Sequence, residues 1–102
     1  MNNIKFNYLY RDAGNYKQFG CVIFANPNNL TVDLIKSEIY SKLIDGEFFI
    51  ASELNIPSLF FENTNDLDHI WHEFHSIENT SEISNDNRSI EELINTMLLI
   101  LQ

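Results

Sequence analysis

Asp68-His69-Ile70-Trp71-His72-Glu73-Phe74-His75-Ser76-Ile77-Glu78 is the stretch whose conformation decides the fold. As a strand it turns Ile70, His72, Phe74 and Ser76 to one face and His69, Trp71, Glu73, His75 and Ile77 to the other, because successive side chains alternate. As a helix it sets Ile70, Phe74 and Ile77 at i, i+4 and i+7, which also makes an apolar stripe. Trp, Phe and Ile fit a pleated, half-buried surface. Without this segment the sheet has only three members. The expectation is a strand, with a helix as the alternative.

Working outward, Ile4-Lys5-Phe6-Asn7-Tyr8-Leu9-Tyr10 alternates and is rich in β-formers, and Phe19-Gly20-Cys21-Val22-Ile23-Phe24-Ala25 reads as its antiparallel partner. Asp12, Gly14 and Asn15 between them form a shaped loop, too long for a two-residue hairpin. Asn26-Pro27-Asn28-Asn29 stops the second strand. A helix is predicted over residues 32–44, with Thr31 as N-cap, Asp33 in the first turn and a stripe of Ile35, Ile39 and Leu43. Asp45-Gly46 ends it. Glu47-Phe48-Phe49-Ile50-Ala51 reads as a buried strand, and Leu59-Phe60-Phe61 as a candidate additional short one. Asn79 to Asn87 reads as an exposed loop. Ser89-Ile90-Glu91-Glu92 has capping-box spacing ahead of a stripe formed by Ile90, Leu93, Ile94, Met97, Leu98 and Leu101.

The order is therefore β-β-α-β-β-α. The two helical stripes need an apolar partner, and one face of a mostly antiparallel sheet of about four strands offers it. The fold class is α+β, a single two-layer domain over residues 1–102.

Composition narrows the function classes. The 102 residues carry a net charge of −9. Five basic residues (Lys5, Arg11, Lys17, Lys36, Lys42) balance five acidic ones in residues 1–50, whereas residues 51–102 hold ten acidic residues and only Arg88. Such a half repels nucleic-acid phosphate and anionic lipid and attracts a basic protein surface. The plainer alternative is that acidity only maintains solubility. Cys21, the sole cysteine, excludes an intramolecular disulfide. The polar start lacks the organisation of a signal peptide, and no apolar run approaches the ~20 residues of a membrane span. A cytoplasmic setting is expected.

Four clusters bear chemistry. His69, His72 and His75, with Asp68 and Glu73 among them, are metal-ligand types. Their spacing is one residue short of the His-Glu-x-x-His pattern, and three rings at i, i+3 and i+6 do not converge on one helix face. Half-exposed histidines on a strand are the default expectation. Residues 8–17 gather Tyr10, Arg11, Asp12, Asn15, Tyr16 and Lys17, a candidate site for a small molecule or nucleotide, through ring stacking and a cation for phosphate. The alternative there is local pairing of Arg11 with Asp12 and tyrosines lining the core edge. No glycine-rich phosphate loop is present. Cys21 sits in an apolar strand as a packing residue, Glu91-Glu92 begins a helix, and no nucleophile elbow exists, so no catalytic residue is assigned. Finally, Phe48, Phe49, Phe60, Phe61 and Trp71 either fill the core or form an exposed aromatic patch. Rimmed by Glu53, Glu62, Asp66, Asp68 and Glu73, such a patch is a candidate for partner binding.

Tyr8-Leu9-Tyr10-Arg11-Asp12-Ala13-Gly14-Asn15-Tyr16-Lys17, Ile44-Asp45-Gly46-Glu47-Phe48-Phe49 and Trp71-His72-Glu73-Phe74 resemble a family of short, uncharacterised bacterial proteins of this length. The resemblance covers most of the chain and implies a bacterial or mobile-element setting. It implies no activity, cofactor or catalytic residue.

The expected function is a non-catalytic, acidic protein-binding module without cofactor: an antitoxin, an immunity or defence accessory, or an inhibitor of a basic partner, with DNA-mimicking inhibitors as a special case. The alternative is a small-molecule or nucleotide binder at residues 8–17. A metal-dependent enzyme using the histidines comes third. An exposed sheet edge or the apolar last helix would support a homodimer.

Overall fold

The computed structural model describes residues 2–61 and 69–100. Two long strands, β1 (Asn3–Arg11) and β2 (Lys17–Phe24), open the chain, followed by α1 (Val32–Tyr40). A two-residue strand β3 (Phe48–Phe49), a 3₁₀ turn (Ala51–Leu54), β4 (His72–Thr80) and α2 (Ile90–Ile100) complete it. The strands form one antiparallel sheet in the order β2-β1-β4-β3. Both helices lie on one face, giving the two-layer α+β architecture expected. Ile4, Phe6, Tyr8, Val22, Phe24, Phe49, Phe74 and Ile77 of the sheet share one buried cluster with Ile35, Ile39, Ile90, Leu93 and Met97 of the helices.

The segment that decides the fold is a strand, beginning at His72. Its face assignment differs from simple alternation. Asn7 pairs with Ser76 but Tyr8 pairs with Phe74, so His75 is an extra residue, a β-bulge. The bulge resets the alternation and turns Ile77 to the same face as Phe74, both in the core. This explains why the segment also fits a helical stripe: the spacing between Phe74 and Ile77 is three in either case.

Several boundaries depart from the sequence expectations; β2, for one, begins at Lys17 rather than Phe19. Helix α1 stops at Tyr40 rather than near residue 44. Lys42 N–H bonds back to Ile39 O at 3.0 Å, and Ile44 N–H leaves to pair with Phe48 O at 2.8 Å. Asp45 (φ 54°) and Gly46 (φ 69°) then make a left-handed turn. The predicted strand over residues 47–51 shrinks to Phe48–Phe49, because Ala51 starts the 3₁₀ turn. Leu59-Phe60-Phe61 adds no strand. It is held by side chains instead: Tyr8 Oη donates to Pro57 O at 2.6 Å, and Leu59 N–H donates to His72 Nε2 at 2.9 Å. The strand β4 runs on to Thr80, two residues into the expected loop.

The N-termini of both helices are capped by the predicted hydroxyls. Thr31 Oγ1 accepts from Leu34 N–H at 3.2 Å, and Ser89 Oγ accepts from Glu92 N–H at 3.2 Å. Beyond β4 the chain crosses the free edge of β2. There Asn85 Oδ1 accepts from Ile23 N–H at 2.8 Å and Asn85 N–H donates to Ile23 O at 3.0 Å, occupying backbone groups an edge strand otherwise leaves open.

Candidate functional site

The hairpin loop folds on itself. Asp12 Oδ1 accepts from Tyr16 N–H at 2.9 Å, Asn15 N–H donates to Asp12 O at 3.0 Å, and Asn15 adopts a left-handed φ of 68°. Arg11 does not pair with Asp12. Its Nε donates to Glu73 Oε2 at 2.8 Å, Nη2 to Glu73 Oε1 at 3.3 Å and Nη1 to Asn15 Oδ1 at 2.6 Å. This two-pronged pair raises the guanidinium further above its ordinary value, chiefly through the hydrogen bonds to Glu73. Tyr10 is fully buried on the helix side of the sheet, with its hydroxyl on His69 O at 2.6 Å. Tyr16 is exposed, and Lys17, paired with Arg11, stands on the opposite face from Tyr10. The six candidate residues therefore divide between two faces, with Arg11, Asp12 and Asn15 engaged in bonds to the protein itself.

The three histidines likewise part company. His69 and His75 are exposed, but His72 is completely buried, contrary to the half-exposed state expected. The rings of Tyr8, Tyr10, Phe49 and Phe60 surround it with centroids 5.2–6.1 Å away. Because Nε2 accepts from Leu59 N–H, the imidazole proton sits on Nδ1, facing Ile70 O at 3.3 Å. Burial lowers the His72 pKa; the Ile70 carbonyl opposes that and nearby His69 adds to it. Burial also pushes the Tyr8 phenol up to about 12. Both His72 nitrogens are thus occupied: Nε2 ties Leu59 to the sheet and Nδ1 faces the carbonyl of Ile70 just ahead of its own strand. Among the described residues no group of three or more His, Cys, Asp or Glu side chains is placed to hold a metal ion. Asp68 lies outside them.

The proposed aromatic patch also divides. Phe49 is core, while Phe48 stacks on Trp71 at 5.5 Å on the sheet face away from the helices. Phe60 and Phe61 close over Tyr10 at 4.9 and 6.2 Å. Of the acidic rim, Glu73 is committed to Arg11, Glu53 stands on the 3₁₀ turn, and Glu62, Asp66 and Asp68 lie outside the described residues.

Folding also redistributes the charge. The sheet face away from the helices presents Lys5, Arg11 and Lys17 together with Glu73, Glu78 and Glu82, with Glu47 near enough to act on Arg11, so its charges come close to cancelling. The remaining described residues carry nine carboxylates against Lys36, Lys42 and Arg88. The excess negative charge of the described chain therefore lies away from the open face.

The acidic side has a feature that the sequence patterns did not single out. Between α1 and α2 runs an open groove of about 310 Å³, lined by Leu30, Leu34, Ile35 and Ile94, with Glu38, Glu91 and Asn95 at its rim. Asn26 positions its near wall: this 2 % exposed side chain accepts from Leu30 N–H and donates to Leu30 O, both at 3.0 Å. Asn28 Nδ2 holds the Glu91 carboxylate at 2.9 and 3.1 Å, tying the same loop to α2. Leu34 is 47 % exposed. The usable sequence signal was Leu34, an apolar residue beside rather than within the Ile35–Ile39 stripe. By contrast, the apolar cavity bounded by Phe49, Leu54 and Met97 holds about 20 Å³, room for one water.

Comparison with protein-family models, curated proteins and solved structures finds no match. Among the described residues no helix is long and apolar enough to cross a membrane.

Proposed function

We infer that this chain is a non-catalytic binding module whose α1–α2 groove takes a basic, amphipathic segment of a protein partner. The observation that carries this reading is the groove itself, with its apolar floor of Leu30, Leu34, Ile35 and Ile94 between the carboxylates of Glu38 and Glu91. An amphipathic helix laid into such a groove buries its apolar anchors on the floor and meets the rim with Lys or Arg. Glu38 is already paired with Lys42 at 2.8 Å, an i, i+4 contact in which Glu38 is 47 % exposed and Lys42 14 %. Such i, i+4 pairs contribute only a few tenths of a kcal/mol, so an incoming cation can share the exposed Glu38 carboxylate with Lys42. The acidic surroundings raise the encounter rate with a basic partner and discourage nucleic acid.

The test is a titration of the isotope-labelled protein with three helical peptides of equal length: basic amphipathic, acidic amphipathic, and a basic peptide with scrambled apolar spacing. The basic amphipathic peptide shifts the amide resonances of Leu34, Ile94 and their neighbours saturably, with an affinity that falls as salt rises. Leu34→Glu abolishes the effect. Equal binding of the scrambled peptide, or shifts confined to the open sheet face, would sink this reading.

A further inference from the structure

We propose that the open face of the sheet is the contact surface of a symmetric homodimer. Among the described residues neither helix packs on this face, and it carries Phe19, 60 % exposed, and Trp71, 38 % exposed. The occupant is identified by the pattern of the face. A chain of net charge −9 repels its own copy over most of its surface. The charges of the open face come close to cancelling, so two copies meet there with little of that penalty.

Its charges and rings are also arranged for self-pairing. An isologous contact brings residue i of one copy to residue j of the other and j to i. Take a two-fold axis parallel to the strands, through the middle of the sheet order β2-β1-β4-β3. It lays β1 of one copy over β4 of the other, and β2 over β3. Phe19, Leu9, Glu73 and Phe48 occupy one row across all four strands. The operation sets Phe19 against Phe48 of the second copy, with Trp71 stacked on that ring. In another row Lys5 lies opposite Glu78 in the strand register, its ammonium on Glu82 at 3.2 Å, and the same operation sets Lys5 of each copy against Glu78 of the other. Aromatic edges meet aromatic edges and cations meet carboxylates, under the aligned geometry usual for two stacked sheets.

Sedimentation velocity of the full chain from low to high micromolar concentration tests this. A monomer–dimer equilibrium is expected, with the dissociation constant raised more than about tenfold by Phe19→Glu. Circular dichroism checks that the variant folds, as its exposure predicts. The discriminating arm uses charge exchange. Lys5→Glu and Glu78→Lys each weaken self-association, and an equimolar mixture of the two restores a dimer, because both cross-contacts then unite opposite charges. Leu99→Glu, on the exposed side of α2, leaves the equilibrium unchanged. A monomer at every concentration, a dimer indifferent to Phe19→Glu, no rescue on mixing, or a dimer abolished by Leu99→Glu would each overturn the proposal.

Discussion

The two faces of one sheet solve different problems with the same strands. On the helix side Ile4, Phe6, Tyr8 and Tyr10 of β1 are essentially inaccessible. On the other side Lys5, Asn7, Leu9 and Arg11 alternate with them, and all but Leu9 keep some contact with solvent. The first face is joined by packing: Phe6 lies within 5.3–6.5 Å of the rings of Tyr8, Phe24, Phe49 and Phe74. The second is joined by pairs that cross strands, Arg11 with Glu73, Asn7 with Ser76 and Phe19 with His75. The lesson is that most of the buried apolar surface lies on the helix side, whereas on the open side only Leu9 and Ile23 are buried among exposed polar and aromatic residues. The largest effect should therefore come from the helix side. Phe6→Ala removes the ring shared by four others and is expected to cost about 3–5 kcal/mol in urea unfolding. A loss below about 1 kcal/mol would show that the core is not organised around β1.

Much of this division was legible in the sequence. Period-two alternation in residues 4–10 marked β1, and the stripes at Ile35/Ile39 and Ile90/Leu93/Met97 marked the helices. What alternation does not encode is a bulge. One extra residue at His75 reverses the face of Ile77, and nothing in a single sequence separates that from uninterrupted pleating or from a helical turn. The burial of His72 was hidden for a related reason. A polar residue enters the core only when partners satisfy it, and those partners, the backbone of Leu59 and Ile70, are identified by tertiary contact and not by residue type. The groove was hard to see because it belongs to two helices whose distance apart no local pattern gives.

His72 gives the next effect. His72→Leu leaves the part-buried Leu59 N–H without its acceptor, which is expected to cost about 1–3 kcal/mol. The wild-type protein carries a pH signature of the same contact. The pKa of His72 is lowered in the folded state below its ordinary 6.5, so the unfolded chain binds more protons in the interval between the two values. The contribution is fully present above pH 6.5 and declines as pH falls from 6.5 towards the folded pKa. Urea midpoints between pH 5 and 7.5 should show this slope in the wild type, and His72→Leu should remove that component. An unchanged slope in the variant would mean the imidazole is not held neutral by burial.

A smaller effect is predicted where residues 57–61 cross β2. A Cβ added at Gly20 would meet Leu59 Cδ2 at 2.8 Å and Cδ1 at 3.1 Å. The obstacle is the far end of a leucine, which can shift, so Gly20→Ala is expected to cost about 1 kcal/mol, the low end for overpacking. Leu59→Ala removes the obstacle. In a double-mutant cycle the two changes should therefore cost less together than their sum. Strict additivity would mean that Leu59 does not press on β2.

The smallest effect belongs to the open face and completes the contrast with Phe6. Phe19 stands in the same sheet and carries the same ring, but that ring is 60 % exposed and touches chiefly His75, at 5.8 Å. Phe19→Ala, unfolded in urea at concentrations low enough to keep the chain monomeric, should change stability by less than about 0.5 kcal/mol. Ring size is then held constant between the two substitutions, and only the face differs. A loss comparable to that of Phe6→Ala would mean that the open face is itself a second core, covered in solution, and that stability and association do not belong to opposite sides of the sheet.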